Sequence, residues 1–155
     1  MAELSHFDEE GAARMVDVGG KPVTRRIAVA RGVISMSGHA ATALKEGAVR
    51  KGDVLAVARV AGIMAAKRTH ELVPLCHPLA LDGVELQLKV ERQGVTATAS
   101  VTVQGRTGAE MEALTAVSVA LLTVYDMMKS VDSAMTIGNI NLVSKTGGSS
   151  QRAEG

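Results

Sequence analysis

The chain has 155 residues and a formal net charge of +1 at pH 7, with 46% apolar and 21% charged residues. That size fits a single globular domain. The composition is neither disordered nor membrane-like, and so balanced a charge calls for neither nucleic acid nor an anionic membrane as partner. One Phe, one Tyr and no Trp leave no platform for stacking bases, while small aliphatic residues and eight Met suit close helix-on-sheet packing.

Residues 1–14 are polar and aperiodic and read as a loosely ordered arm, as does the tail over 147–155 of the single 1–155 domain. Met15–Val18 is a short strand candidate, ended by Gly19-Gly20. Thr24–Met36, with β-branched residues in partial alternation and Arg25-Arg26 at its start, predicts a strand. Ser37-Gly38 can cap a helix over about His39–Val49 that stops near Gly52. Asp53 caps a second, Ala-rich helix running to Leu72, whose apolar residues surround it and predict burial. Lys67 and Arg68 complement the dipole at its end, reason enough for them structurally.

Asp82-Gly83 reads as a turn into a hairpin, Val84–Val90 and Val95–Val103, joined through Arg92-Gln93-Gly94. Thr107 and Glu110 form a T-x-x-E capping box before a long helix from Ala109 to about Val131, with the uncharged run Ala113–Tyr125 predicting burial nearly all round. A last strand, Thr136–Ser144, leads to Lys145-Thr146-Gly147-Gly148. The order β-β-α-α-β-β-α-β points to an α+β fold, with helices on one face of a mostly antiparallel sheet. The single cysteine forms no intramolecular disulfide, no basic-then-apolar leader opens the chain, and the longest strongly apolar run is too short for a bilayer. The expectation is a soluble, cytoplasmic protein with no membrane partner.

Chemistry-bearing residues concentrate in Lys67–Leu79, KRTHELVPLCHPL, which holds the only cysteine (Cys76), His70 and His77, and Pro74 and Pro78. Proline fixes its own φ and keeps the preceding residue extended, so Val73–Leu79 reads as a stiff loop presenting a thiol and an imidazole between Leu72, Leu75 and Leu79. An ordinary helix-to-strand connection with its cysteine packed inward is the competing reading. No tetrahedral metal set forms, because only His70 lies near the adjacent Cys76 and His77.

In the long helix, Asp126 and Lys129 lie three apart on one face at the end of the apolar run. A partly apolar setting there would shift their pKa values as proton transfer requires; a surface ion pair of small energetic value is the alternative. Glu110 is explained by the capping box, whereas Glu112 is not and is the better functional candidate. Arg25-Arg26, Arg50-Lys51, Lys67-Arg68, Lys129 and Lys145 would suit a polyphosphate if they converge. Lys145, followed by Gly147-Gly148-Ser149-Ser150, reads as part of a loop closing over phosphate or of a frayed terminus.

MVDVGGKPVTRR, RKGDVLAVARVAGIMAAKRTHELVPLCHPL, TGAEMEALTAVSVALLTVYDMMKS and KTGG together resemble the cyclic pyranopterin monophosphate synthase family of molybdenum cofactor biosynthesis, from about Leu4 to Ser149. The resemblance implies a ferredoxin-like protomer in a homohexamer, a trimer of dimers, with sites at the dimer interface. It implies a nucleotide-derived substrate, 3′,8-cyclo-7,8-dihydroguanosine 5′-triphosphate, supplied by an upstream radical enzyme, and release of pyrophosphate. Carried over by motif, the catalytic residues are Asp126, Lys129 and His77. The substrate-binding residues are Leu75, Cys76, His77, Met111, Glu112, Arg26, Lys51 and Lys145, with Glu110 and Lys67 as further matches. His70 stands where other members carry an aromatic residue and is given no role. Acid/base side chains suffice for such a rearrangement without a redox cofactor; whether Mg2+ accompanies the triphosphate stays open. A non-catalytic module that binds a phosphorylated nucleotide as a sensor would share the anion-binding features, but it has no need of the Asp126–Lys129 pair.

Overall fold

The computed structural model describes residues 5–149; the expected loose ends at 1–4 and 150–155 lie outside the described residues. The elements are β1 (Thr24–Ser35), α1 (Gly38–Lys45), α2 (Val54–Lys67), the single turn α3 (Thr69–Leu72), β2 (Gly83–Glu91), β3 (Gly94–Gly105), α4 (Glu110–Met128) and β4 (Thr136–Thr146). Among the described residues four strands form one antiparallel sheet in the order β2-β3-β1-β4. With helices between β1 and β2 and between β3 and β4, this is the ferredoxin-like arrangement of an α+β fold.

Period-two alternation builds the core. Val95, Ala97, Ala99, Val101 and Val103 of β3 are buried, and register sets Val95, Ala97, Ala99 and Val101 beside Ile34, Gly32, Ala30 and Ala28 of β1. Against this flat, small-residue surface α4 buries Ala113, Ala116, Val117, Ala120, Leu121 and Val124. Each fully buried Val or Leu contributes about 1.5–3 kcal/mol. The α4 helix is not buried all round: Met111 and Leu122 are exposed on its outer side. Contrary to the sequence expectation, it is long and apolar enough to cross a bilayer by length and composition. Its buried face is instead covered by β1, β3 and α2.

Several boundaries differ from the sequence reading for local reasons. Met15–Val18 joins no strand. The α1 helix is capped by Ser37 Oγ, which accepts from Ala40 N, but it ends at Lys45, because Gly47 takes φ 68° and its N–H donates to the Leu44 carbonyl. Asp53 caps α2 as expected, its Oδ1 accepting from Ala56 N. That helix breaks at Arg68, where the buried Thr69 hydroxyl donates to the carbonyls of Ala65 (3.2 Å) and Ala66 (3.0 Å) and competes with the helical ladder. Asp82 is a bend just ahead of β2 rather than a hydrogen-bonded turn, and its N–H donates to Thr102 O. The α2 helix is buried on one face only: Val57, Val60 and Met64 are exposed while Val54, Ala58, Gly62, Ala65 and Ala66 face inward.

Close packing of α2 on α4 depends on Gly62. A Cβ there would overlap Leu86 and lie 2.8 Å from the Ala116 carbonyl oxygen and 3.2 Å from Ala120 Cβ. Helix propensity alone favours alanine, so the sign of Gly62→Ala reports packing. The variant is expected to lose about 1–3 kcal/mol by urea denaturation as the helices are forced apart; unchanged stability would mean that α2 is free to move away.

Candidate active site

The loop Val73–Leu79 lies beside the N-terminal end of α4, where Cys76 meets Glu112. It opens with a turn, Cys76 N donating to Val73 O at 3.1 Å, and runs on irregularly to β2. Leu79 packs at the edge of the core, but Leu72 is 62% exposed and anchors nothing. Leu75, Cys76, His77 and Met111 form one side of a largely apolar cavity of about 660 Å³, and His6 and Ala13 of the N-terminal arm form another. Beneath the loop Glu112 is 2% exposed; its Oε1 accepts from the Cys76 thiol at 3.6 Å, and its Oε2 is buried without a partner among the described residues. Burial pushes the Glu112 carboxyl above the usual carboxylate range. Burial, reinforced by the Glu112 carboxylate, pushes the Cys76 thiol up to about 11.

Those values make Cys76 a held proton rather than a nucleophile. At pH 8 its alkylation by iodoacetamide is expected to be on the order of a hundredfold slower than that of a free thiol. Glu112→Gln removes the neighbouring charge and is expected to speed it several-fold. Equal rates in the two proteins would mean that the carboxylate does not act on the thiol.

A second, polar cleft of about 190 Å³ shares Thr107 and Gly108 with the first and is lined by Arg26, Lys145, Glu110, Lys21 and Arg106. Lys145 lies on β4, not on a loop, and its Nζ meets Glu110 Oε1 at 2.9 Å. No capping box forms, because Glu110 is the first helical residue and Ala109 the N-cap, so the carboxylate turns to Lys145 instead. Arg26 Nε donates to Gly105 O at 3.1 Å, and Gly147-Gly148 (φ 84° and 76°) fold over Arg26 where a side chain at Gly148 would strike its guanidinium. Sequence reasoning missed Lys21 and Arg106. The signal was an arginine in the short connector Gly105–Gly108, between hairpin and helix, read only as a strand end.

The other charged group stands at the opposite end of α4. Lys129 Nζ meets Asp126 Oδ1 at 2.7 Å, and Lys51 Nζ donates to the Asp126 carbonyl at 2.9 Å and lies 3.9 Å from its carboxylate. The expected partly apolar setting is absent: the Asp126 and Lys129 side chains are 62% and 55% exposed. The hydrogen bond from Lys129, then its charge, holds the Asp126 carboxyl below the usual range, and the same bond raises the Lys129 ammonium. In the single chain the pair is therefore locked in its charged form, the reverse of the shift a neutral-pH base needs.

The basic residues thus do not converge in one chain. Arg26 and Lys145 share the polar cleft, Lys51 and Lys129 stand beyond the far end of α4, and Lys67 ends α2 outside both cavities. Glu112 and Asp126 are separated by about 21 Å along the helix axis at 1.5 Å per residue.

Comparison with known proteins gives a consistent result. The model of the MoaC family matches residues 15–148. A protein of Novosphingobium aromaticivorans named cyclic pyranopterin monophosphate synthase is 57% identical over 150 residues, covering 97% of this chain and 96% of that protein. Proteins of the same name from Thermomicrobium roseum (59% identical, 97% and 92% covered) and Brevibacillus brevis (56%, 96% and 93%) are similar over the same span.

Proposed function

We propose, from the premise that this chain belongs to the MoaC family and is an enzyme, that it is a lyase of molybdenum cofactor biosynthesis. It converts 3′,8-cyclo-7,8-dihydroguanosine 5′-triphosphate, made by a radical enzyme one step earlier, to cyclic pyranopterin monophosphate and pyrophosphate. The observation that carries this reading is the pair of neighbouring cavities at the head of α4, which share Thr107 and Gly108 in their walls, one apolar beside Cys76, His77 and Glu112, the other lined by Arg26, Arg106 and Lys145. A heterocycle with a phosphate chain needs both kinds of surface.

In this proposal His77 and Glu112 hold the base, with Leu75, Cys76 and Met111 as its walls. Arg26, Lys51 and Lys145 hold phosphates and stabilise charge as pyrophosphate leaves. Lys129 moves protons and Asp126 orients it. Because Asp126 raises the Lys129 ammonium, Lys129 enters as a donor. It becomes an acceptor only where burial and added positive charge bring its pKa down.

Burial of that kind is what a subunit interface provides. The separation of the two charged groups, together with the outward apolar residues Val57, Val60, Met64 and Leu122, supports a subunit interface in which the α4 tail of one chain meets the cavities of its neighbour; that the assembly is a homohexamer, a trimer of dimers, rests on the family resemblance. We place the enzyme in the cytoplasm, where its nucleotide precursor is made. No redox cofactor enters the proposal, since the rearrangement changes no net oxidation state; turnover with and without EDTA tests whether Mg2+ accompanies the triphosphate.

The test is incubation of the purified protein with the cyclic dihydro-GTP intermediate, following pyrophosphate and, after oxidation, the fluorescent pterin. Stoichiometric formation of both supports the reading. Tight binding without turnover would replace it with the nucleotide-sensor alternative.

A further inference from the structure

The arm ahead of β1 meets the cavity loop through His77, whose Nε2 lies 2.6 Å from the Val16 carbonyl oxygen. A carbonyl only accepts, so Nε2 carries the proton and a neutral ring keeps its lone pair on Nδ1. Neither tautomer nor ring orientation is fixed for a free imidazole; this bond fixes both, in the way that outer hydrogen bonds orient functional histidines.

The carbonyl is itself held in place. Asp17 Oδ1 accepts from Gly19 N at 2.8 Å, closing an Asx turn directly after Val16. Lys21 N donates to Val18 O at 3.0 Å, and Arg106 Nε at the edge of the polar cleft donates to Lys21 O at 3.1 Å. The segment from Val16 to Lys21 thus runs as a tied strap from the apolar cavity to the polar one. The sequence had suggested a strand here; the carbonyl that a sheet would have used faces an imidazole instead.

We propose that this strap is a positioning element for the active site, with the Val16 carbonyl holding His77 so that Nε2–H is occupied and Nδ1 is the nitrogen offered to substrate. The proposal deepens the assignment of His77 to the substrate cavity and rests on it. Val16 touches no substrate and acts through the ring it orients.

Two measurements test it. In protein with 15N-labelled histidine, the His77 ring should give an exchange-protected Nε2–H proton in water, identified by its loss in His77→Asn and weakened in Asp17→Ala, which opens the Asx turn. This readout needs no turnover, so it stands even if the proposed substrate is wrong. The second is a double-mutant cycle on kcat/KM. Asp17→Ala is expected to cost about tenfold in the wild-type background and less than about twofold in His77→Asn, because the strap works through the ring. No protected ring proton in wild type, or equal Asp17→Ala penalties in both backgrounds, would overturn the strap while leaving the catalytic reading in place. Failure of wild type to turn over, with the proton present, would overturn the catalytic reading alone.

Discussion

Asp126→Asn is expected to lower kcat by about two to four orders of magnitude, the range typical of removing a proton-transfer partner, with little change in stability. The second half of that expectation follows from exposure. Within one chain both side chains of the Asp126–Lys129 pair are more than half exposed, and exposed ion pairs contribute little to the folding of the chain itself, as distinct from its assembly. An activity loss in a protein of wild-type melting temperature would therefore be chemical rather than structural. The pH profile carries the sign. Asp126 raises the Lys129 pKa, so an ammonium donor stays protonated to higher pH in the wild type. In Asp126→Asn the alkaline limb of kcat should move to lower pH. Wild-type kcat in the variant would remove Asp126 from the mechanism, and an unmoved alkaline limb would mean that Lys129 is not the donor.

The fold was legible where one residue type has one structural use. Asp53 had no other role than to cap α2, and the alternating Val95–Val103 run could pair only as a sheet strand. Where a residue has two partners to choose from, sequence spacing misled. Glu110 sits at capping-box distance from Thr107, yet Lys145, distant in sequence, offers a full positive charge at 2.9 Å and takes the carboxylate. Thr69 lies inside an apparently continuous helical pattern, and only its burial turns its hydroxyl onto the carbonyls that end α2. Candidate site residues were recognisable by their grouping, as in Cys76-His77 and Asp126–Lys129. Their environments were not: an uncharged run before Asp126 suggested burial, but the apolar stripe of α4 turns away from that carboxylate just as the helix surfaces. The role of the Val16 carbonyl has no side-chain signal at all.

A pair of inactive variants should restore activity when assembled together. His77 and Glu112 lie at one end of α4 and Asp126 and Lys129 at the other, about 21 Å apart at 1.5 Å rise per residue, too far for both groups to reach one heterocycle within a chain. If one site uses the head of α4 from one chain and the tail from its partner, a mixed dimer of His77→Ala and Lys129→Ala chains holds one site with both defects and one with neither. Random pairing of equal amounts makes half of the dimers mixed, so about a quarter of wild-type activity should return in a two-fold symmetric interface. The two chains would be co-expressed with different tags and the assembly assayed without fractionation, beside each parent alone. Recovery near that level places the two charged groups of a site on different chains. Mixtures as inactive as their parents would require each chain to build its site alone, and Lys129 would then have to be removed from the chemistry at His77.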